Sequence, residues 1–168
     1  LRNVGSENPH ISSAQPIIGV PAGYDIEGMD FTEDGKLLLA TERHISARPS
    51  DAILTAIHKD DNTWHVIHEM PLSYQSLWGI TAPSNRGFEG LCTTKQGKVF
   101  IAGEAAIEHD GHRYAPLALL DLKDNQVQPY WLQLTSHIGN ISSLACRTDH
   151  DGSIRIFAIE RHFAVKRL

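Results

Sequence analysis

Three stretches of this chain are written to one plan, and their spacing constrains the fold more than any other feature. Asn85 to Glu104 reads NRGFEGLCTTKQGKVFIAGE: a turn, a strand, a second turn and a strand ending on a carboxylate. Tyr24 to Glu42 and Asn140 to Glu160 follow the same order. The offset is 62 between Glu27 and Glu89, again between Gly35 and Gly97, and again between Glu42 and Glu104. From Glu104 to Glu160 it is 56, with one residue assigned as extra in the third turn, TDHDG against TKQG. Strand-built repeats at this spacing point to a radial array of the β-propeller kind.

In chain order, residues 1–23 read as an arm followed by an outer strand, Gln15 to Ala22, of a preceding blade. Residues 24–70 form one predicted blade, with strands Ile26–Thr32, Lys36–Glu42, Ala52–His58 and Thr63–Glu69. Residues 87–134 form the next, with strands Phe88–Thr94, Lys98–Glu104, Tyr114–Leu122 and Val127–Leu134. Residues 140–168 give an incomplete blade: Ile141–Arg147, Ile154–Glu160 and part of a strand at Phe163–Leu168. Apolar residues alternate or run in short β-branched bursts, so no helix is expected. The fold class is all-β, a propeller of four-stranded antiparallel blades. This chain covers about two and a half blades of a larger ring, the others coming from the same protein or another subunit.

Composition narrows the function. The net charge is −5 with scattered basic residues, which argues against nucleic acid. No apolar run approaches the length of a transmembrane helix. No targeting segment is visible. Strand alternation sends Cys92 and Cys146 to opposite faces, so the pattern predicts two small buried residues rather than a disulfide. The motifs of serine hydrolases, zinc proteases and phosphate-binding glycine loops are missing.

Candidate chemistry sits on the inner strands. Glu27-Gly28 and Glu89-Gly90 open two of them, and Ser142-Ser143 stands in the third. The glycine leaves room near a crowded axis, so the acid is expected to face a central channel. Each second strand ends in an acid: Glu42, Glu104 and Glu160. Glu42-Arg43-His44 and Glu160-Arg161-His162, 118 residues apart, count as equivalent triplets. Carboxylates around one channel mouth suit a hard cation such as calcium. Arginine and histidine beside them suit a phosphate or carboxylate ligand.

Asn85-Arg86-Gly87-Phe88-Glu89-Gly90-Leu91, continuing to Glu104, resembles the "N-K/R-G-F-E-G-L" blade of the phytase-like propeller family. Asp25-Ile26-Glu27-Gly28 is similar to that family's "D-P-E-G" blade, with Ile26 in place of proline. Ile141-Ser142-Ser143-Leu144 and Ile159-Glu160-Arg161 are similar to its "I-S-D-L … L-E-R", with Ser143 where aspartate is usual. The match covers about residues 24–163. The resemblance implies an exported, periplasmic or extracellular propeller hydrolysing phosphoesters at clustered acids. Glu27 and Glu89 would be catalytic and metal-binding, with Glu42, Glu104 and Glu160 as further ligands of a divalent metal, calcium first. Arg43, Arg86, Arg161, His44 and His162 would bind a small anionic or phosphoester substrate. One alternative is a non-catalytic interaction platform or assembly subunit. Another is a lactonase-type calcium propeller, with Asn85 and Asn140 as asparagine ligands.

Overall fold

The computed structural model describes residues 14–44, 48–81 and 86–161, and these are built almost entirely of strands. The first unit is β1 (Ile17–Ile18), β2 (Tyr24–Phe31), β3 (Leu37–Arg43), β4 (Asp51–His58) and β5 (Trp64–Leu72). A single-turn helix, α1 (Tyr74–Trp78), follows in the connection. The second unit is β6 (Phe88–Thr93), β7 (Lys98–Gly103), β8 (Ile107–His109), β9 (His112–Asp121) and β10 (Gln126–Gln133). The third is the hairpin β11 (Asn140–Thr148) and β12 (Ile154–Arg161). His162 and the expected strand at 163–168 lie outside the described residues, as does Asn85.

Within the first unit β2, β3, β4 and β5 pair antiparallel in meander order, and β6, β7, β9 and β10 do the same in the second. The fold is thus all-β and propeller-like: two units each built on a four-stranded antiparallel meander, and a third described as a two-stranded hairpin. Besides β8, an unpredicted short strand that pairs antiparallel with β9, two local features depart from the sequence reading. First, β1 pairs parallel with β5, Ile17 opposite Trp64, and so adds a fifth rail to the blade that follows it rather than to a preceding one. Second, α1 forms where the pattern predicted no helix. Ser73 caps it, its Oγ accepting from Ser76 N, and Gly79 ends it at φ +70.

The inner hairpins explain the repeat. Thr32 N bonds Lys36 O, Thr94 N bonds Lys98 O and Asp149 N bonds Ser153 O, at 2.9, 2.9 and 2.8 Å. Gly35, Gly97 and Gly152 carry the left-handed angle these turns need, at φ +79, +76 and +83. The three turns therefore have the same length, and the extra residues of the third repeat lie in its strands. The offset between the second and third units is 53 at Glu89 and Ser142, 55 at Thr94 and Asp149, and 57 at Glu104 and Arg161. Two residues have been added to each arm of the hairpin.

The blades stack face to back. A Cβ on Gly28 would lie 3.2 Å from Glu89 O, and one on Gly90 would lie 2.6 Å from Leu144 N. The inner strands β2, β6 and β11 therefore stand side by side. One apolar layer fills the gap between the first two blades, with Leu38, Ile53, Phe88 and Ile101 at its centre and α1 lodged in it by Tyr74 and Trp78. A second layer, with Phe100, Leu117, Ile141 and Leu144, joins the second blade to the third hairpin. Asp30 Oδ2 adds a polar tether between blades, accepting from Thr93 N at 2.8 Å and Thr93 Oγ1 at 3.0 Å.

This stacking overturns the expectation for the cysteines. Cys92 and Cys146 form a disulfide, with a Cα–Cα distance of 5.4 Å. Alternation does send them to opposite faces of their own sheets. In a face-to-back stack, however, the front of one blade meets the back of the next, so opposite faces are the ones that touch.

Candidate functional site

A β-bulge places each inner acid. In the β2–β3 ladder Ile26 pairs with Thr41 and Gly28 with Ala40, leaving Glu27 unpaired. In β6–β7 the pairs are Phe88 with Gly103 and Gly90 with Ala102, leaving Glu89 unpaired. In β11–β12, Ile141 pairs with Glu160 and Ser143 with Ile159, leaving Ser142 unpaired. A bulge inserts one residue that owes nothing to the ladder and re-aims its side chain. Glu27, Glu89 and Ser142 occupy one position in three successive blades.

The same register corrects the triplet equivalence. Asp25 faces Glu42, Glu104 N donates to Gly87 O at 2.9 Å, and Asn140 faces Arg161. Arg161, not Glu160, thus stands at the position of Glu42 and Glu104, because the longer third hairpin shifts the count by one. Its Nη2 reaches back across the blade boundary to 3.9 Å from Glu89 Oε2. Glu160 is engaged elsewhere: it accepts from Thr135 N at 2.8 Å, Thr135 Oγ1 at 3.1 Å and Ser136 N at 3.0 Å. Burial pushes its pKa up, but these donors outweigh burial and hold the carboxyl below its ordinary value.

The remaining acids gather at the end of the blades opposite the hairpin turns. Glu89 is pushed up to about 7, by burial first and then by repulsion from Glu104 and Glu27, with Arg161 opposing. Glu27 stands more open, yet partial burial, Asp25 and Glu104 raise it too, again against Arg161. Glu42 is 6% exposed. Burial raises its pKa most, Gly87 N–H opposes by donating to it, and Glu27, Asp51 and Glu104 add repulsion. Glu104 Oε1 accepts from Asn140 Nδ2 at 3.1 Å.

Two residues that the sequence reading passed over complete the cluster. Asp51, 1% exposed, opens β4. Its Oδ1 accepts from Arg43 N at 2.9 Å, with Arg43 Nε at 3.9 Å. Burial raises its pKa, against that hydrogen bond and the Arg43 charge. Tyr74, on α1, stacks on Phe88 with ring centroids 5.0 Å apart. Burial lifts its phenol well above the usual value, with Asp51, Glu42, Glu89 and Glu104 adding to the effect. Tyr74 OH, Asp51 Oδ2 and Glu42 Oε1 are all buried, with no hydrogen-bond partner among the described residues. Neither residue repeats between blades, so the periodicity carried no signal for them. The only cue to Asp51 is its place after the Pro49-Ser50 turn.

Of the expected substrate-binding groups among the described residues, only Arg161 is brought to the inner acids. Arg43 turns back on its own blade, donating to Pro49 O beside Asp51. His44 Nε2 lies 3.0 Å from Asp25 Oδ2 on the open rim. Arg86 is exposed at the start of the second blade. Asn140, the asparagine considered for a lactonase-type site, is held on both sides: besides Glu104 it accepts at Oδ1 from Arg113 Nη2 at 2.7 Å.

Glu27, Glu42, Glu89 and Glu104 offer the all-oxygen donor set that a hard cation takes, and their mutual repulsion favours one. Among the described residues, however, no three acidic, histidine or cysteine side chains already converge as a metal-holding group. No described helix is long and apolar enough to cross a membrane.

No curated protein and no solved structure matches the chain. A family match does, covering residues 8–167 under the description "esterase-like activity of phytase". That span takes in all three repeats and every acid described above, and the chain belongs to the phytase-like family.

Proposed function

We propose that this protein hydrolyses a phosphoester at the acid cluster between its first and second blades, with Glu89 as the proton-transfer group. The observation that supports this best is the bulge geometry. It sets Glu27 and Glu89 at one position in neighbouring blades, with Arg161 reaching over from the third. A carboxyl that titrates near neutrality exists in both forms at working pH. It can take a proton from water or give one to a leaving alkoxide. Glu27, beside it, keeps that pKa raised by repulsion. Arg161 offers the cationic group that an anionic ester needs in a site otherwise rich in carboxylates. Glu160, which its donors keep ionised, positions the 135–136 backbone rather than touching substrate.

A divalent cation, calcium first, belongs to the same proposal. Glu27, Glu42 and Glu104 are its candidate ligands, Glu89 staying off the ion because coordination would hold it ionised, and side chains would have to draw together to hold it. When bound, such an ion polarises a phosphoryl oxygen and offsets charge in the transition state. Export fits this reading, because the Cys92–Cys146 disulfide suits an oxidising compartment.

The test is release of p-nitrophenol from its phosphate mono- and diester, with and without calcium, by the wild-type chain and by Glu89→Gln. Turnover should fall by about 10²-fold or more in the variant, the range expected for loss of a general acid–base group. Unchanged turnover in a folded variant sinks the reading.

A second reading is a platform that binds other blades or subunits. Met29 and Phe31 on β2, and Phe157 and Ile159 on β12, are more than half exposed, at 59%, 55%, 54% and 61%. Apolar blade faces of this kind take a further blade, from the same protein or another subunit.

A further inference from the structure

The blades part at the end remote from the acid cluster, and the gap between the first and second is a cavity of about 680 Å³. Its floor is apolar: Leu38 and Ile53 from the buried layer, then Met70, Ile67 and Leu122. Ile67 is 54% exposed, an unusual state for a branched apolar side chain unless something covers it. The rim is made by the hairpin turns and carries Lys36, Lys95 and Lys123 against Glu33 and Asp34. Lys36 is tied to Asp34 at 2.6 Å, whereas Lys95 and Lys123 are exposed and enter none of the ion pairs among the described residues. A chain of net charge −5 thus carries a local surplus of positive charge at the mouth of an apolar cleft.

We propose that this cleft is a second binding site, separate from the acid cluster, for a small amphipathic anion: a hydrocarbon body with one carboxylate, sulfonate or phosphate head. The apolar floor and the lysine rim require both halves of such a ligand. An inorganic anion would leave Ile67 and Leu122 facing water, and a neutral hydrocarbon would leave the ammonium groups without a partner. Ligand pockets of this size follow the same rule, an apolar wall with a few polar groups that fix orientation. The lysine stems lie over the rim while their heads stay wet, so the head group would be held at the mouth and the tail directed inward. The ligand would bridge two blades, the tail against β4 and β5 and the head against the 94–98 and 121–126 turns. The proposal stands whether or not the acid cluster hydrolyses phosphoesters.

Calorimetric titration with dodecanoate, kept below its micelle concentration, tests it, with dodecyltrimethylammonium as the same tail under the opposite charge. One saturable site per chain is expected for dodecanoate and none for the cation. The charge-reversed pair Lys95→Glu and Lys123→Glu, both at exposed positions that leave the core untouched, should weaken dodecanoate by about tenfold or more. Thr55→Trp, which fills the cleft from β4, should abolish binding while circular dichroism remains that of the native sheet. Equal binding of the two amphiphiles, or unchanged affinity in the lysine pair, overturns the proposal. So does unchanged affinity in a folded Thr55→Trp chain, because the tail would then be resting on an exposed face such as that of Phe157 and Ile159.

Discussion

Arg161, at the end of β12, lies with Nη2 3.9 Å from Oε2 of Glu89, one blade away. No other side-chain ion pair among the described residues joins two different blades. It links a carboxyl that burial and three neighbouring acids push towards neutrality with a charge that pulls it back.

Replacing Arg161 should therefore move a pH profile. In Arg161→Met, Glu89 loses its opposing cation and its pKa rises further above about 7. The Glu89-dependent limb of kcat/KM against pH should shift upward, and KM for an anionic ester should rise as well. A profile that keeps its midpoint would show that the two groups do not communicate.

Stability should also respond to Glu89, with a definite sign. The unfolded carboxyl titrates near 4.5 and the folded one near 7, so between those values the folded state holds a proton that the unfolded state has released. Stability contributed below pH 4.5 is lost as pH rises to 7. Glu89→Gln mimics the protonated form, and after discounting for solvent screening it should gain about 1–2 kcal/mol at pH 8 and nothing at pH 4. Urea midpoints at the two pH values measure this.

Asp51 separates charge from hydrogen bonding. Asp51→Asn keeps an acceptor for Arg43 N and removes a buried charge, so it should cost within about 1 kcal/mol. Asp51→Ala leaves that N–H without its partner and should cost about 2–3 kcal/mol. Equal losses in the two variants would place the role of Asp51 outside this contact.

The disulfide fastens the second blade to the third across 54 residues of sequence. Peptide mapping without reductant should recover Cys92 joined to Cys146. Cys92→Ser with Cys146→Ser should lower stability by about 2–4 kcal/mol. Unchanged unfolding on reduction would mean that the two layers hold the blades without it.

Two glycine substitutions should differ in cause. An added methyl at Gly90 meets Leu144 N at 2.6 Å and Ser143 C at 2.8 Å, both backbone, so Gly90→Ala forces the inner strands apart. At Gly35 nothing lies within 4 Å, and the cost of Gly35→Ala comes only from φ +79, about 1–2 kcal/mol. Gly90→Ala should cost more than Gly35→Ala, and it alone should also disturb the acid cluster.

The repeat made the blades legible. The 62-residue offset and the turn glycines locate the β2–β3 and β6–β7 hairpins, and the alternation that follows locates their outer strands, though β5 runs on to Leu72 where Glu69 was the expected end. What the repeat could not carry was anything that occurs once. Tyr74 sits on a helical turn between blades, Asp51 follows a loop, and β1 pairs with a strand that begins 47 residues after Ile17, at Trp64. Counting also fails where a strand lengthens: the acid of the Glu160-Arg161 pair looks equivalent to Glu104 until the ladder shows that the arginine is. The cysteines were misread for a different reason, since alternation describes one sheet and their contact is made between two.

The bulges separate architecture from chemistry. Because Glu27, Glu89 and Ser142 owe nothing to ladder pairing, the side chain at that socket can change without disturbing a single rung. The third blade has already done so, carrying a hydroxyl where the first two carry acids. A scaffold of this kind can add or drop a charge one blade at a time, and Ser142 marks where a third carboxylate would enter with least cost to the fold.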